Sequence, residues 1–201
     1  IGTGGFDTLI GDAADNTLEG GAGADHLEGR DGFDVASYAH AASGVSVRLD
    51  PIDGAWHFGP VSEANGDTLI GIEGLIGSAH DDALGGDTAD NILVGGAGDD
   101  TLIGDGGNDT LRPGEGGADS VLGGPGRDLL SFADLTLGDG VFASVEDQVF
   151  AGGAEGTFRQ IEDLEGSAFA DTLVGDEGAN LLRELAGNDY LMGFGGADTL
   201  E

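Results

Sequence analysis

Leucine recurs every nine residues along three stretches of the chain, each time after a glycine-rich, acidic segment. Residues 20–28 read GGAGADHLE and residues 95–103 read GGAGDDTLI, so both follow the form G-G-x-G-x-D-x-L-x. The x-L-x part predicts a very short strand, with leucine on one face and its neighbours on the other. The glycine-rich part predicts a tight turn, because glycine tolerates positive φ and close backbone approach. Each nine-residue unit therefore predicts one turn and one strand.

The same frame fits fourteen units, with Pro113 as one extra residue between two of them. Leucine holds the eighth position in twelve units and glycine holds the first position in thirteen. The sixth position is Asp or Asn in every unit: Asp7, Asn16, Asp25, Asp34, Asp82, Asn91, Asp100, Asp109, Asp119, Asp128, Asp171, Asn180, Asp189 and Asp198. The chain divides into repeat block 1 at 1–37, a spacer at 38–76, block 2 at 77–131, a second spacer at 132–165 and block 3 at 166–201.

This period predicts an all-β solenoid in which two units form one coil. Successive strands would stack about 4.8 Å apart on each wall, with the leucines inside and the turns along two opposite edges. A single unit cannot bury its leucine, so stability has to come from stacking on neighbouring coils. Because the pattern is already under way at Ile1 and still continues at Glu201, we expect the chain to be a piece of a longer protein.

Stacked turns would place two sixth-position side chains and several backbone carbonyls around one gap. An all-oxygen site of about six ligands suits Ca²⁺ better than Mg²⁺, which demands near-ideal octahedral geometry. The expected pairs are Asp7 with Asp25, Asn16 with Asp34, Asp82 with Asp100, Asn91 with Asp109, Asp100 with Asp119, Asp109 with Asp128, Asp171 with Asp189, and Asn180 with Asp198. About eight bound calcium ions would add roughly +16 to the charge of the protein.

The two spacers resemble each other at both ends. Residues 37–39 (SYA) match 131–133 (SFA), and residues 72–75 (IEGL) match 161–164 (IEDL). Residues 45–49 alternate apolar and polar as in a half-buried strand, and the turn pairs Asp50-Pro51 and Asp53-Gly54 follow. We therefore interpret the spacers as longer rungs with a surface loop that keep the solenoid going, rather than as separately folded inserts.

Composition excludes several classes of protein. The 201 residues contain 39 acidic and only six basic side chains, giving a formal net charge of −33. Nucleic acid is excluded as a partner because its phosphates need a basic face. No apolar run approaches the roughly 18 residues of a spanning helix, so we expect no membrane insertion. The absence of cysteine removes disulfides and thiolate chemistry.

The repeat resembles the RTX (repeats-in-toxin) calcium-binding nonapeptide family of bacterial secreted proteins, whose repeats form a parallel β-roll. The resemblance implies a parallel β-roll with short strands, calcium-filled turns and two spacer interruptions. It also implies that the fourteen sixth-position residues bind calcium together with turn carbonyls, such as those of Gly20, Ala22, Gly23, Gly95, Ala97, Gly98, Gly104, Gly106 and Gly107. An amide oxygen brings no charge, so we expect weaker or empty gaps at Asn16, Asn91 and Asn180.

Other kinds of chemistry fit the sequence less well. Paired carboxylates can catalyse glycoside hydrolysis, but an Asp or Asn in every unit fits a column of stacked metal sites better. The four histidines lack zinc-binding spacing. Trp56, His57 and Phe58 form an aromatic cluster that either closes over the solenoid core or contacts a partner or sugar. No catalytic motif is present, so we do not expect this chain to be an enzyme.

We therefore predict an extracellular or cell-surface β-roll that folds on calcium binding after secretion. It would act as a structural, adhesive or surface-assembly module, with calcium and with other copies of itself or cell-surface components as partners. The resemblance implies export by the type I secretion route. The alternative is the calcium-binding portion of a secreted protease, lipase or alginate epimerase whose catalytic domain lies outside this chain.

Overall fold

The computed structural model describes residues 1–49, 63–136, 138 and 140–201. All the regular secondary structure in these ranges is β-strand, and the strands are two to six residues long. None of the described residues forms a helix that is long and apolar enough to cross a membrane. The predicted turns at Asp50-Pro51 and Asp53-Gly54 and the aromatic cluster at 56–58 lie outside the described residues.

The strands form two facing walls. The continuous wall is one nine-stranded sheet, in the order β2 Thr17–Leu18, β4 Val35–Ser37, β7 Gly74–Ile76, β9 Ile92–Ala97, β11 Thr110–Glu115, β13 Leu129–Ser131, β17 Asp163–Glu165, β19 Leu181–Arg183 and β21 Thr199–Leu200. The divided wall starts with a three-stranded sheet of β1 Thr8–Ile10, β3 His26–Glu28 and β6 Thr68–Ile70. It continues as a second nine-stranded sheet, in the order β5 Ser46–Arg48, β8 Ala83–Gly85, β10 Thr101–Ile103, β12 Asp119–Leu122, β16 Gly156–Arg159, β15 Val149–Gly152, β14 Val141–Ser144, β18 Thr172–Val174 and β20 Tyr190–Met192.

Strand register confirms the predicted parallel β-roll with two units per coil. Thr8 pairs with His26 on the divided wall and Thr110 pairs with Ile92 on the continuous wall, and both pairs lie eighteen residues apart in parallel strands. Successive strands of the chain alternate between the walls throughout the repeat blocks. A coil of the solenoid is therefore two nonapeptides.

The predicted leucine ladder forms the core between the walls. Leu27, Leu93, Leu102 and Leu111 are each 0% exposed, and most other eighth-position residues are buried with them in one cluster. Burial of one such side chain contributes about 1.5–3 kcal/mol relative to leaving it in water. Because each leucine packs on those of the coils above and below, the core is a single continuous stack.

Each spacer carries the chain forward along the divided wall and then back. In the first spacer, β5 pairs in parallel with β8, while the later strand β6 pairs with the earlier strand β3. In the second, β14 pairs with β18, and β16 returns to pair with β12. The continuous wall meanwhile runs through both spacers by way of β7 and β17.

The second spacer also contains an antiparallel strand that the repeat pattern does not predict. Strand β15 pairs antiparallel with both β14 and β16 and so fills the step between the forward and the returning strands. Phe150, on β15 itself, is buried between Phe132 and Phe158, and its ring centroid lies 5.3 Å from that of Phe132 and 6.4 Å from that of Phe158. Aromatic burial therefore stabilises this region, which contains no nonapeptide turn.

Candidate metal centre

The repeat turns stack along two edges of the roll. On the first edge they lead into strands of the divided wall and end in Asp7, Asp25, Asp82, Asp100, Asp119, Asp171 and Asp189. On the second edge they lead into the continuous wall and end in Asn16, Asp34, Asn91, Asp109, Asp128, Asn180 and Asp198. Each edge thus presents a column of sixth-position side chains, one per coil.

All eight pairs expected from the sequence are brought together by the same hydrogen bond. The backbone N–H of the upstream sixth residue donates to the carboxylate Oδ1 of the downstream one, at N···O distances of 2.8–3.1 Å. In block 2 this bond links Asp82 to Asp100 and Asp100 to Asp119 on the first edge. One oxygen of each downstream carboxylate is thereby fixed in direction.

In six of the eight downstream residues the second carboxylate oxygen has no hydrogen-bond partner. In six aspartates the Oδ2 atom is buried and receives no hydrogen bond; these are Asp25, Asp34, Asp100, Asp109, Asp119 and Asp128. Leaving a buried acceptor unsatisfied costs about 1–3 kcal/mol, and more when it is charged. Asp189 and Asp198, in the last turn of each edge, are only partly buried. A cation in the turn gap would give these oxygens the missing partner.

At the first position of the turn, predicted carbonyl ligands lie beside a sixth-position side-chain oxygen of the preceding coil. A Cβ added to Gly77 would meet both Asp82 Oδ2 and the Gly95 carbonyl of the next coil. A Cβ added to Gly2 would likewise meet the Gly20 carbonyl, and a Cβ added to Gly86 would meet the Gly104 carbonyl. In these three turns only glycine leaves this space open, and the space is walled by oxygen atoms.

The other predicted carbonyl positions are placed differently from one another. At the fourth position, the carbonyls of Gly98 and Gly107 face the next coil. A Cβ added to Gly117 would meet the Gly98 carbonyl, and one added to Gly126 would meet the Gly107 carbonyl. A Cβ added to Gly23 would meet the Gly5 carbonyl of the preceding coil. At the third position, Ala97 lies at the end of strand β9, paired with Glu115, and Gly106 N–H donates to the Asp87 carbonyl at 2.9 Å. Ala22 is exposed in its turn. The structure thus brings the first-position carbonyls closest to the sixth-position side chains.

Pro113 does not lie between two units as the spacing suggests. Gly114 pairs with Gly96, a second-position residue, and a Cβ on Gly95 would meet the Pro113 carbonyl. Pro113 therefore occupies the first position of its turn. The extra residue lies inside that turn, before Asp119.

Side chains alone do not complete a metal site. Within the described ranges, no group of three or more His, Asp or Glu side chains is placed to hold an ion. Backbone carbonyls therefore have to supply the remaining ligands. A mixed set of carboxylate and carbonyl oxygens fits Ca²⁺, which accepts six to eight hard oxygen ligands in irregular geometry.

The electrostatics of block 2 favour a bound cation. Burial, reinforced by neighbouring carboxylates, raises the pKa of Asp100 and Asp119 to about 7 and that of Asp109 and Asp128 to about 6. Among those neighbours, the Asp82 charge acts on Asp100. Without a cation, these four carboxylates are therefore costly to keep ionised.

Three acidic residues outside the nonapeptides extend the columns into the spacers. Asp25 N–H donates to Asp67 Oδ1 at 2.7 Å, and Asp67 Oδ2 accepts the Tyr38 hydroxyl at 3.0 Å. The frame missed Asp67, although residues 67–70 repeat the DTLI of residues 7–10.

The other two are glutamates of the spacers. Asp34 N–H donates to Glu73 Oε2 at 2.8 Å and Asp128 N–H donates to Glu162 Oε2 at 2.9 Å. Each glutamate stands two residues before a buried leucine, as a sixth-position residue does. This spacing from the leucine is the sequence signal that could have identified both glutamates as members of the column.

Comparison with known proteins agrees with this geometry. The family model described as the RTX calcium-binding nonapeptide repeat matches residues 1–36, 76–111, 113–130, 161–183 and 185–201. These segments cover well over half of the chain. No curated protein was found to match it. The chain therefore belongs to the RTX calcium-binding nonapeptide repeat family.

Proposed function

We propose that this calcium-binding repeat module folds when it meets calcium outside the cell and then serves as a structural or adhesive element. The observation that carries the proposal is the set of six buried Oδ2 atoms without a hydrogen-bond partner. A stack of charged, unsatisfied acceptors opposes folding until a divalent cation fills the gaps.

The charge of the chain supports coupling between metal binding and folding. At −33, the free chain repels itself, and only six basic residues oppose that repulsion. Each calcium ion would bridge two successive turns, so its binding free energy becomes folding free energy. A cell interior low in calcium and an exterior near millimolar would keep the chain unfolded during export and folded outside.

A structural role is favoured over catalysis by the use made of the acidic side chains. The sixth-position carboxylates that would be the source of acid–base chemistry are engaged in turn-to-turn hydrogen bonds along both edges. The family model that matches the chain is a calcium-binding repeat. The calcium-bound module would therefore act as a rigid structural element of the larger protein or surface that contains it.

Far-UV circular dichroism during calcium titration tests the proposal. In chelator we expect a mostly disordered spectrum, and with millimolar calcium a β-sheet spectrum that appears cooperatively. Magnesium at the same concentration is the control and should produce much less structure. A chain that is already β-rich in chelator would contradict the proposal.

A further inference from the structure

The repeat turns fall into two kinds, according to what the second residue of the turn does. In the first turn of every block on each edge, the second-position backbone N–H donates to a sixth-position side-chain oxygen at 2.5–2.9 Å. The donors are Thr3, Asp12, Ser78, Asp87, Ser167 and Asp176. We call these six turns capped turns.

The later turns have the opposite arrangement, and we call them open turns. In seven of the eight later turns the second residue has positive φ: 89° at Gly21, 85° at Arg30, 118° at Gly96, 70° at Asp105, 99° at Gly114, 123° at Gly124 and 62° at Phe194. Leu185, in the turn that ends in Asp189, is the exception. Six of these seven turns end in the six aspartates whose Oδ2 is buried without a partner. A positive φ turns the second-position N–H away from the carboxylate, so the oxygen stays free. Arg30 and Asp105 adopt this conformation although it costs a non-glycine residue about 1 kcal/mol or more.

In blocks 2 and 3, the backbone of the coil before a capped turn explains whether that turn ends in Asp or Asn. On the first edge, that backbone is a spacer strand whose N–H needs an acceptor: Val45 donates to Asp82 Oδ1 at 2.6 Å and Val141 donates to Asp171 Oδ1 at 2.7 Å. Ser78 and Ser167 hydroxyls also donate to these carboxylates, at 3.0 and 2.9 Å. A carboxylate satisfies all of these donors, so Asp is suited to this edge.

On the second edge, the upstream neighbour instead presents a carbonyl. The amide Nδ2 of Asn91 donates to the Glu73 carbonyl at 3.2 Å, and that of Asn180 donates to the Glu162 carbonyl at 2.7 Å. An aspartate has no hydrogen to donate there. The asparagines are therefore matched to a protein partner.

We propose that the second residue of the turn decides which sixth-position residues bind calcium, and that the capped ones are positioning residues. This inference rests on the proposed function and narrows the fourteen expected ligands. Each ion takes its carboxylate from the downstream turn of its gap, which makes Asp25, Asp34, Asp100, Asp109, Asp119, Asp128 and Asp198 the carboxylate ligands. Asp189 falls outside this set, because Leu185 in its turn does not have positive φ. The sixth-position side chains of the capped turns close the start of each block and give no ligand to an ion.

Opposite substitutions at two stacked residues test this. Asn91→Asp adds a charge in a capped turn, and Asp109→Asn removes one from the open turn directly below it on the same edge. We measure bound calcium by equilibrium dialysis and the calcium midpoint of folding by circular dichroism. Asp109→Asn should lose at least one ion and raise the midpoint about tenfold, because calcium affinity follows ligand charge. Asn91→Asp should keep the number of ions and bind calcium no more tightly.

Tighter calcium binding by Asn91→Asp, or an unchanged midpoint in Asp109→Asn, would overturn the inference. Ser78→Ala gives a readout that does not depend on these two variants, since it removes only the hydroxyl of a cap. It should lower the urea midpoint of the calcium-loaded protein with the number of ions unchanged, and a lost ion would count against the inference. If the unsubstituted chain binds no calcium at all, the proposed function itself fails.

Discussion

Two turns that stack directly on each other on the second edge close in different ways. The turn 123–128 has six residues and ends in Asp128, whose Oδ2 is buried without a partner. The turn 160–162 has three residues, starts at Gln160 with φ 51° and buries the side chain of Ile161. The same alternation occurs between Asp34 and the short turn that contains buried Ile72.

This difference shows that the roll is held together by two kinds of contact. The repeat turns leave acceptor oxygens for a cation, whereas the spacer turns are completed by apolar burial. The short turns also separate the calcium turns of successive blocks along the second edge. We therefore expect metal and acid to act on the repeat turns, and apolar truncation to act on the spacer turns, of one continuous structure.

The largest expected effect is that of pH on the calcium-free chain. The four raised pKa values of block 2, about 6 to 7, exceed the ordinary value of about 3.9 for an unfolded aspartate. The fold therefore binds more protons than the unfolded chain, so this stabilisation is complete below about pH 4 and is lost as pH rises through 6 to 7. In chelator, circular dichroism should show more β-structure at pH 5 than at pH 8. The same or less structure at pH 5 would contradict the assignment.

The next effect distinguishes inner from terminal calcium turns. Asp109→Ala should lower the free energy of unfolding at saturating calcium by about 3–5 kcal/mol, because it leaves a buried charge cluster without one ligand. Asp198→Ala, in the last turn and partly exposed, should cost about 1 kcal/mol or less. Urea unfolding measures both. Equal losses would contradict the stacked geometry, in which Asp109 is bonded to both the Asn91 and Asp128 turns.

Ile161→Ala tests the apolar turn. The side chain is 3% exposed, so truncation should cost about 2–5 kcal/mol in urea unfolding of the calcium-loaded protein. Because no ion is needed in this turn, equilibrium dialysis should find the number of bound calcium ions unchanged. Ile161→Val is the matched control and should cost about 0.5–1.5 kcal/mol. Loss of calcium in the alanine variant would show that the two kinds of turn are not independent.

The smallest effect concerns the ion pair that joins the two turns. Arg127 Nε and Nη2 donate to both carboxylate oxygens of Asp163 at 2.7 and 2.8 Å, and the arginine side chain is 51% exposed. Arg127→Lys keeps the charge but loses the bidentate geometry, so thermal unfolding should report a loss of about 0.5–1 kcal/mol. High salt should reduce the difference between the two proteins. A loss as large as that of Ile161→Ala would contradict this order and would mean that the ion pair stabilises the turn as much as the isoleucine does.

The nine-residue period determined most of the roll by itself. Register, the buried leucine ladder and the eight pairs of sixth-position residues follow from the period, because each coil contacts only its neighbours eighteen or nineteen residues away. Such contacts repeat identically, so a local pattern is enough to predict them.

Only the tertiary structure decided what happens where the repetition stops. The forward and backward path of the spacers, the antiparallel β15, the role of Glu73 and Glu162 and the placement of Pro113 depend on which strand lies next to which. Asn91 is explained by the Glu73 carbonyl and Asp82 by the Val45 N–H, a partner 37 residues away. A nonapeptide cannot encode these neighbours, because the choice between Asp and Asn depends on whether the adjoining backbone offers a donor or an acceptor.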